Sequence, residues 1–403
     1  MKAGGTTRIV VSGLGVVSPI GCDTDSFWQA LLAGRGSVGE ASALPGKGIR
    51  VAEVAGEDFM AGLELPRSAC DRNALFAVAA ARQALVAAGL GNGLPRPERV
   101  GVILGNSAGG QCSVDDQYSR LYHLNKRPHP MTVPKVMVSS SASWVSIMSG
   151  ATGPCFVTSS ACASASHAIG IAMQFLRAGL ADIVIAGGTE APLSAGTLIA
   201  WDAMKIMSRS LCRPFAAGRD GLMLSEGAGV IVLETEAHAR SRGLEPTVEA
   251  AGFGFSADAG DIVAPNADGM VRAMSLALTD AGLSAGDLAY VNAHGTGTRA
   301  NDRTETLALK RLFGDQPLPP VSSTKGVTGH ALGAAGAFEA IATIMAIENS
   351  MVPPTANFDA PDPECDFDCL PNQGRAMPVP AAMSNSFAFG GINAALIFRS
   401  IGA

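Results

Sequence analysis

Short apolar runs that end in glycine alternate along the chain with longer stretches of helical period, and the succession occurs twice. Residues 8–15, Arg-Ile-Val-Val-Ser-Gly-Leu-Gly, read as a strand running into glycines, and residues 247–254, Thr-Val-Glu-Ala-Ala-Gly-Phe-Gly, have the same shape. A helix predicted over 76–88 stops at Gly89-Leu90 and leads to a strand over 100–104. Its counterpart is a helix over 271–281, stopped at Gly282-Leu283, then a strand over 288–292. Each half next offers a helix of small residues, beginning near Cys162 in the first and near His330 in the second. The first half closes with Asp182-Ile-Val-Ile-Ala186 and Gly229-Val-Ile-Val-Leu233, the second with Ala394-Ala-Leu-Ile-Phe398. Strands this uniformly apolar are covered on both faces, so the pattern predicts α/β layers with buried sheets. The halves divide as 1–245 and 246–403, with the joint over 241–246, where Arg-Gly-Leu-Glu-Pro breaks the helix that follows Glu234. A site between the duplicated halves is expected.

Residues 136–176 carry no Asp, Glu, Lys or Arg. The stretch is rich in Ser, Thr, Ala and Gly and contains Pro154, unlike a membrane span built of Leu, Ile and Val. It predicts buried helix and strand, with a subunit interface, and no membrane span. The length of 403 residues suits two to three domains or one large unit. With 47% hydrophobic residues, 16% charged and 48 glycines, the composition is that of a well-buried globular enzyme with tight turns. A net charge of −6 excludes a general nucleic-acid binder, while Lys126-Arg127 and Arg67 with Arg72 remain as local basic patches for an acidic partner. Eight cysteines over this length make no disulfide framework, which predicts a reducing cytosol. Ile9-Val-Val11 is too short an apolar run for a secretory signal.

Candidate chemistry centres on Cys162, in Thr158-Ser-Ser-Ala-Cys-Ala-Ser-Ala-Ser-His167. A thiol at a helix start faces unpaired amides and the positive dipole end, which favours the thiolate, the nucleophilic form. Its small neighbours let backbone and substrate approach. Most cysteines are simply small buried residues, and the other seven lack such a context. Cys365-x-x-x-Cys369 has the wrong spacing for a zinc knuckle and reads as structural. Of six histidines, His294 in Asn-Ala-His-Gly-Thr-Gly-Thr and His330 in Lys325-Gly-Val-Thr-Gly-His-Ala-Leu-Gly stand at strand or loop ends where ligands are reached. One thiol and two imidazoles make an acyl-transfer site if the fold gathers them. Lys325 is placed to hold a carboxylate, with Asp302 and Glu305 as candidate partners; the plainer readings are a surface lysine and a solvated charge run.

Two motifs compete with that reading. Gly13-x-Gly15 follows a strand but lacks the third glycine of a dinucleotide fingerprint. Gly105-Asn-Ser-Ala-Gly109 matches the nucleophile elbow of serine hydrolases, with Asp and His downstream in the right order, so a hydrolase using Ser107 is the rival. Against it, Gly-Gly-Gln-Cys-Ser-Val-Asp-Asp is a poor opening for the helix that an elbow serine needs.

Motifs from five regions of the chain, taken in one order, are together highly specific. They are Val10-Val-Ser-Gly-Leu-Gly-Val-Val-Ser-Pro-Ile-Gly21, the Cys162 segment, Arg213-Pro-Phe with Arg219-Asp-Gly and Glu226-Gly-Ala-Gly, the two histidine motifs, and Asn385-Ser-Phe-Ala-Phe-Gly-Gly-Ile-Asn393. Over nearly its whole length the chain resembles the β-ketoacyl–acyl-carrier-protein synthases, the elongating Cys-His-His condensing enzymes of the thiolase superfamily. The resemblance implies a duplicated thiolase-like fold, layered α-β-α-β-α, usually a homodimer, acting without an organic cofactor on acyl and malonyl groups carried by acyl carrier protein. Carried over, Cys162 is the acyl acceptor, His294 and His330 polarise the malonyl thioester and assist decarboxylation, and Lys325 supports them. The amides of Cys162 and Phe389 form the oxyanion hole, and Phe389 gates the acyl pocket. Thr296 and Thr298 face the pantetheine arm; Ala108, Trp201 and Phe387 meet substrate; Asp302, Glu305 and Glu339 support the site. Asn292, Glu339, Ser384 and Asn385 match a structural monovalent-cation site of some members.

Losing CO2 from malonyl leaves an enolate whose charge needs preorganised donors, which two imidazoles supply. Priming synthases use His and Asn and degradative thiolases a second Cys, so the second histidine favours elongation. A chain-length factor, the non-catalytic paralogue, lacks the nucleophile that this chain keeps; a heterodimer with such a paralogue stays open beside the homodimer. Departures from the family pattern are Ala388 before the gating Phe389, Ala216 after Pro-Phe, Val263 where a threonine often meets malonyl, and Ala108 where housekeeping synthases carry a larger aliphatic. The last implies a longer or wider acyl pocket. Asn301-Asp302 and the Phe-Ala-Phe-Gly-Gly-Ile-Asn ending look closer to specialised synthases of polyketide, polyene or nodulation-factor pathways.

Overall fold

The structure, a computed structural model, describes residues 7–402. The first apolar run forms β1 (Ile9–Val17), and the chain continues through β2 (Val100–Gly105), β3 (Cys155–Thr158), β4 (Ile183–Glu190) and β5 (Gly227–Thr235). The second series is β6 (Val248–Ala257), β7 (Tyr290–Asn292), β8 (Val321–Ser322), β9 (Ala381–Ala388) and β10 (Ile392–Ser400). These strands hydrogen-bond in the order β8-β7-β9-β10-β6-β1-β5-β4-β2-β3. At the centre β1 and β6 share a single residue pair, Val10 with Glu249, so the array is two five-stranded sheets meeting at a seam. Outward from the seam both sheets run antiparallel, antiparallel, parallel, parallel. The repeat legible in the sequence is therefore a repeat of topology.

The longer helices are α1 (Arg72–Ala87), α2 (Gln111–Leu124), α3 (Ser140–Ser149), α4 (Ser164–Arg177), α5 (Ala267–Ala281), α6 (Arg299–Phe313) and α7 (Ala335–Asn349), and all but the largely exposed α2 build the layers on these sheets. Side chains alternate between the faces of a strand. Val102, Leu104, Val230 and Val232 thus pack outward on Ala77 and Ala84 of α1 and Val145 of α3. Their neighbours Ile103 and Ile231 point inward, where with Leu396 and Phe398 of the other sheet they enclose Ile169 of α4 and Phe338 and Ile341 of α7. On the far side Val291, Met383 and Ile397 meet Met270 and Met274 of α5 and Leu309 of α6. The result is the α-β-α-β-α stack. Helix α7, buried from Ala335 to Ile347, is apolar all round because it lies between two sheets.

The paired glycines have a packing reason. A Cβ at Gly13 or Gly15 would stand 2.1 or 2.0 Å from carbonyl oxygens of α1, and one at Gly252 or Gly254 would stand 2.5 or 2.1 Å from those of α5. Gly13-x-Gly15 therefore serves helix-on-strand contact at the same place in each half.

Several elements differ from the sequence reading. Helix α1 begins at 72 and α5 at 267, about a turn early, because Asp71 and Asn266 accept from the amides of Asn73 and Asp268 as N-caps. Strand β9 was not predicted: Ser384, Asn385 and Ser386 interrupt its apolar run, yet all eight residues are buried. A helix does open at Gln111, with no side-chain cap, despite its poor opening sequence. The charge-free stretch splits into buried α4 and a half-open border, with β3 at the sheet edge, Cys155 exposed and Ile147 of α3 67% exposed. Among the described residues no helix is long and apolar enough to cross a membrane.

Phe338 is the pivot of the middle layer, 1% exposed and 5.9 Å from the Phe27 ring. Phe338→Ala is expected to lower unfolding stability by about 3–5 kcal/mol, read from the urea midpoint at constant m; a loss below about 1 kcal/mol would show that the two sheets close over the gap.

Candidate active site

The turn before α4 presents Cys162. Ala161 takes a left-handed φ of 49°, and the Ser164 hydroxyl ties the turn by accepting from the Ser160 amide at 2.9 Å and donating to the Ala161 carbonyl at 2.6 Å. Cys162 is buried, with its Sγ 3.0 Å from Nε2 of His330. Burial pushes its thiol up to about 12; Lys325 pulls the other way, and Glu339 and Glu190 push further. The helix-start argument alone predicts a thiolate, but desolvation in this closed site outweighs it, and the resting group is a thiol. His330 is held well below its ordinary value by burial and by Lys325, so it is neutral and free to accept the thiol proton.

His330 is fixed through its backbone: its amide donates to Met223 O at 2.6 Å and its carbonyl accepts from Ser225 N at 3.1 Å. His294 lies two residues beyond β7, and its amide and that of Gly295 each donate to the Glu305 carboxylate at 2.8 Å. Lys325 Nζ donates to the His294 carbonyl at 2.6 Å and stands 3.3 Å from its Nδ1. An ammonium only donates, so Nδ1 accepts and the His294 proton sits on Nε2. Burial, Lys325 and His330 together hold His294 neutral, with its pKa well below the usual value. The two rings meet edge to face, with centroids 5.4 Å apart.

Lys325 pairs with Glu339 of α7, and both side chains are 1% exposed. The expected partners, Asp302 and Glu305, do other work. Glu305 carries the His294 loop, while Asp302 accepts from Phe215 N at 2.8 Å and Gly297 N at 3.2 Å and lies 3.8 Å from buried Arg219. Burial pushes Glu305 and Glu339 up to about 7 and Asp302 up to about 6.

Cys162, His294 and His330 open on one cavity of about 110 Å3, also lined by Thr296, Thr298, Trp201, Phe387, Val263 and Phe389. Phe389 stacks on Trp201 with centroids 5.9 Å apart and planes at 16°. Among the described residues neither the Cys162 nor the Phe389 amide donates to a backbone carbonyl, and the Cys162 amide lies against its own Sγ. A nucleophile, a proton acceptor, a fixed imidazole donor and backbone amides in one desolvated space are the parts of an acyl-transfer centre.

Residues 6–239 match the Beta-ketoacyl synthase, N-terminal domain, and residues 247–359 the Beta-ketoacyl synthase, C-terminal domain. The chain belongs to the β-ketoacyl synthase family. Nodulation protein E of Rhizobium meliloti (strain 1021) is 44% identical over 98% of this chain and 99% of that protein. A 3-oxoacyl-[acyl-carrier-protein] synthase 2 of Synechocystis is 40% identical over 97% and 98%. Among solved structures, the ishigamide ketosynthase/chain length factor superposes with a TM-score of 0.94 at 31% identity, covering 99% of this chain and 100% of that one. The enzyme is thus a condensing acyltransferase of the thiolase-like ketosynthase fold.

In this synthase Ser107 is no elbow nucleophile. Its Oγ donates to Glu190 Oε2 at 2.5 Å, and no histidine is among its partners. Ala108, half-buried where the chain turns toward α2, lies outside the cavity at Cys162. Among the buried oxygens without a hydrogen-bond partner are Asn292 Oδ1, Glu339 Oε2, Ser384 Oγ and Asn385 Oδ1. Asn292 and Ser384 are register partners on β7 and β9, and Asn292 Nδ2 reaches Glu339 O at 3.5 Å. Asn385, next along β9, turns to the opposite face, where its amide lies 3.4 Å from Glu305. Sequence reasoning missed the cavity residues Ile206, Leu222, Pro265, Ala300 and Asn301. Asn301 alone left a trace, beside Asp302 in a motif already singled out.

Because the resting thiol is raised to about 12, alkylation of Cys162 by iodoacetamide should still climb steeply from pH 7 to pH 9. A rate that levels off near pH 7, followed by mass spectrometry of the labelled peptide, would show a stabilised thiolate instead.

Proposed function

We propose that the enzyme carries out a decarboxylative condensation through Cys162, His294 and His330, joining a Cys162-bound acyl chain to malonyl held on acyl carrier protein and releasing the 3-oxoacyl carrier. One observation carries this reading: a thiol 3.0 Å from one neutral imidazole, beside a second whose proton is pinned on the cavity-facing nitrogen by Lys325. In the first half-reaction Sγ attacks the acyl thioester carbon as its proton passes to His330 Nε2, and the carrier thiolate leaves with that proton. The carbonyl oxygen rests on the amides of Cys162 and Phe389 while it is negative. In the second, the malonyl thioester oxygen accepts from His294 Nε2–H as the C–CO2 bond breaks. The resulting enolate attacks the Cys162 acyl carbon, and Sγ departs as the thiolate, which takes a proton from solvent once the product leaves and so returns to the resting thiol. His330 Nδ1 has no partner, so this ring can hold its proton on either nitrogen, accepting from the thiol first and donating to malonyl second.

Thr296 and Thr298, whose hydroxyls lie 2.9 Å apart at the cavity wall, suit the amide-bearing pantetheine arm. The relative named a 3-oxoacyl-[acyl-carrier-protein] synthase supports the carrier as partner. For the subunit partner, the open edge of β3, beside α3 with its exposed Ile147, is a face suited to a homodimer. The neighbour that pairs a ketosynthase with a chain length factor keeps the heterodimer as the alternative. Eight free cysteines fit a cytosolic setting. Similarity to nodulation protein E favours a specialised acyl chain over housekeeping fatty acids. The orphaned oxygens of Asn292, Glu339 and Ser384, which share the middle-layer face, suit a structural monovalent cation, and Asn385, on the other face of β9, drops out of the expected set.

Cys162→Ala is expected to remove condensation and acyl-enzyme formation together, read as loss of the acyl mass increment on the intact protein; an acylated variant would place the nucleophile elsewhere. For the cation, Tm should be higher in K+ or Na+ than in tetramethylammonium at equal ionic strength, on the order of 2 °C, and Asn292→Ala should erase the gap. Equal Tm values in all three salts would remove the cation from the fold.

A further inference from the structure

Ser107 and Glu190 have no part in the chemistry above, yet they sit where the two catalytic loops meet. Glu190 ends β4 and is 0% exposed. Its Oε2 accepts from Ser107 Oγ at 2.5 Å, Ser107 N at 2.8 Å and Gly333 N at 3.1 Å. Gly333 lies three residues after His330, just past Leu332, whose left-handed φ is 45°. A Cβ at Gly333 would stand 2.4 Å from that carboxylate oxygen and 2.6 Å from Ser107 N, so the loop is drawn tightly onto the pair. Ser107 also reaches the other loop: its carbonyl accepts from Ser159 Oγ at 3.1 Å, and Asn106 N donates to Thr158 O at 3.1 Å, both just ahead of Cys162. The carboxylate thus ties a strut from the nucleophile's turn in one half of the chain to the histidine's turn in the other.

We infer that Ser107 and Glu190 are a positioning pair that sets the alignment of Cys162 with His330 across the two halves. The inference rests on the condensing reading, since it assigns the pair a role in bringing the thiol proton to His330. Neither residue touches substrate. Burial raises the Glu190 pKa to about 7, and donation from the Ser107 hydroxyl and amide opposes that rise by favouring the carboxylate. A loosened strut lengthens the 3.0 Å contact, and proton transfer is steeply sensitive to such displacement.

The test compares Ser107→Ala, Ser107→Thr and Glu190→Gln by the single-turnover rate of acyl transfer from an acyl carrier protein to Cys162, read by intact-protein mass spectrometry over a range of carrier concentrations. Ser107→Ala should slow the maximal rate about tenfold while the half-saturating carrier concentration stays within about twofold, and Ser107→Thr, which restores a hydroxyl, should recover most of the loss. Glu190→Gln, close in shape, should be at least as slow as Ser107→Ala and supplies the same comparison should the alanine variant not fold. A Ser107→Ala rate equal to wild type, or an equal loss in the alanine and threonine variants, overturns the positioning role. Wild-type protein that takes no acyl group at Cys162 overturns the condensing reading, and the positioning role with it.

Discussion

A single buried ammonium organises the catalytic centre. Lys325 donates to the carbonyl of His294, faces its Nδ1 and pairs with Glu339 of the central helix α7, all out of contact with water. Each contact needs the others. Without Glu339 the ammonium is an unpaired buried charge, and without the ammonium the tautomer of His294 is unassigned. Through this one side chain a strand end, a loop and the middle-layer helix are held in one geometry.

Dryness is the second constraint on the site. Burial raises Cys162, Glu190, Glu305 and Glu339 and lowers His294 and His330. All these shifts favour neutral forms: a protonated thiol beside neutral imidazoles. That state suits a reaction in which charge appears only as bonds change, because amides and an imidazole N–H already aimed at the oxygen need not reorganise. In the proposed reaction the thiol gives its proton to His330 as it attacks, in keeping with a raised thiol 3.0 Å from that ring.

Duplication explains why such a site can exist between two sheets. The halves share strand order, direction and even the glycines on which α1 and α5 lie. Helices α4 and α7 are equivalent members of the middle layer, so the residues that precede them come together from opposite halves of the chain. The equivalence is incomplete. Cys162 stands two residues ahead of α4, whereas His330 is five ahead of α7, separated by a turn through left-handed Leu332. That extra turn lets the imidazole reach over the thiol, and it is the turn that Glu190 clasps.

Period and composition by themselves determined the repeat, the α/β layering and the standing of Cys162, His294 and His330, because apolar strands, glycine stops and small residues at helix starts are local signals. They did not determine β9, whose polar residues look like a loop until a second sheet and two helix layers bury them. Nor did they show that Lys325 pairs with Glu339 and not with Asp302 or Glu305, that Ser107 meets a carboxylate and no histidine, or that four orphaned oxygens lie around β7 and β9. Those outcomes depend on which distant segments the seam brings together, and on the loss of water there. Desolvation is a property of the packed whole: it reversed the charge expected for Cys162 from its place before a helix, and no reading of neighbours along the chain contains it.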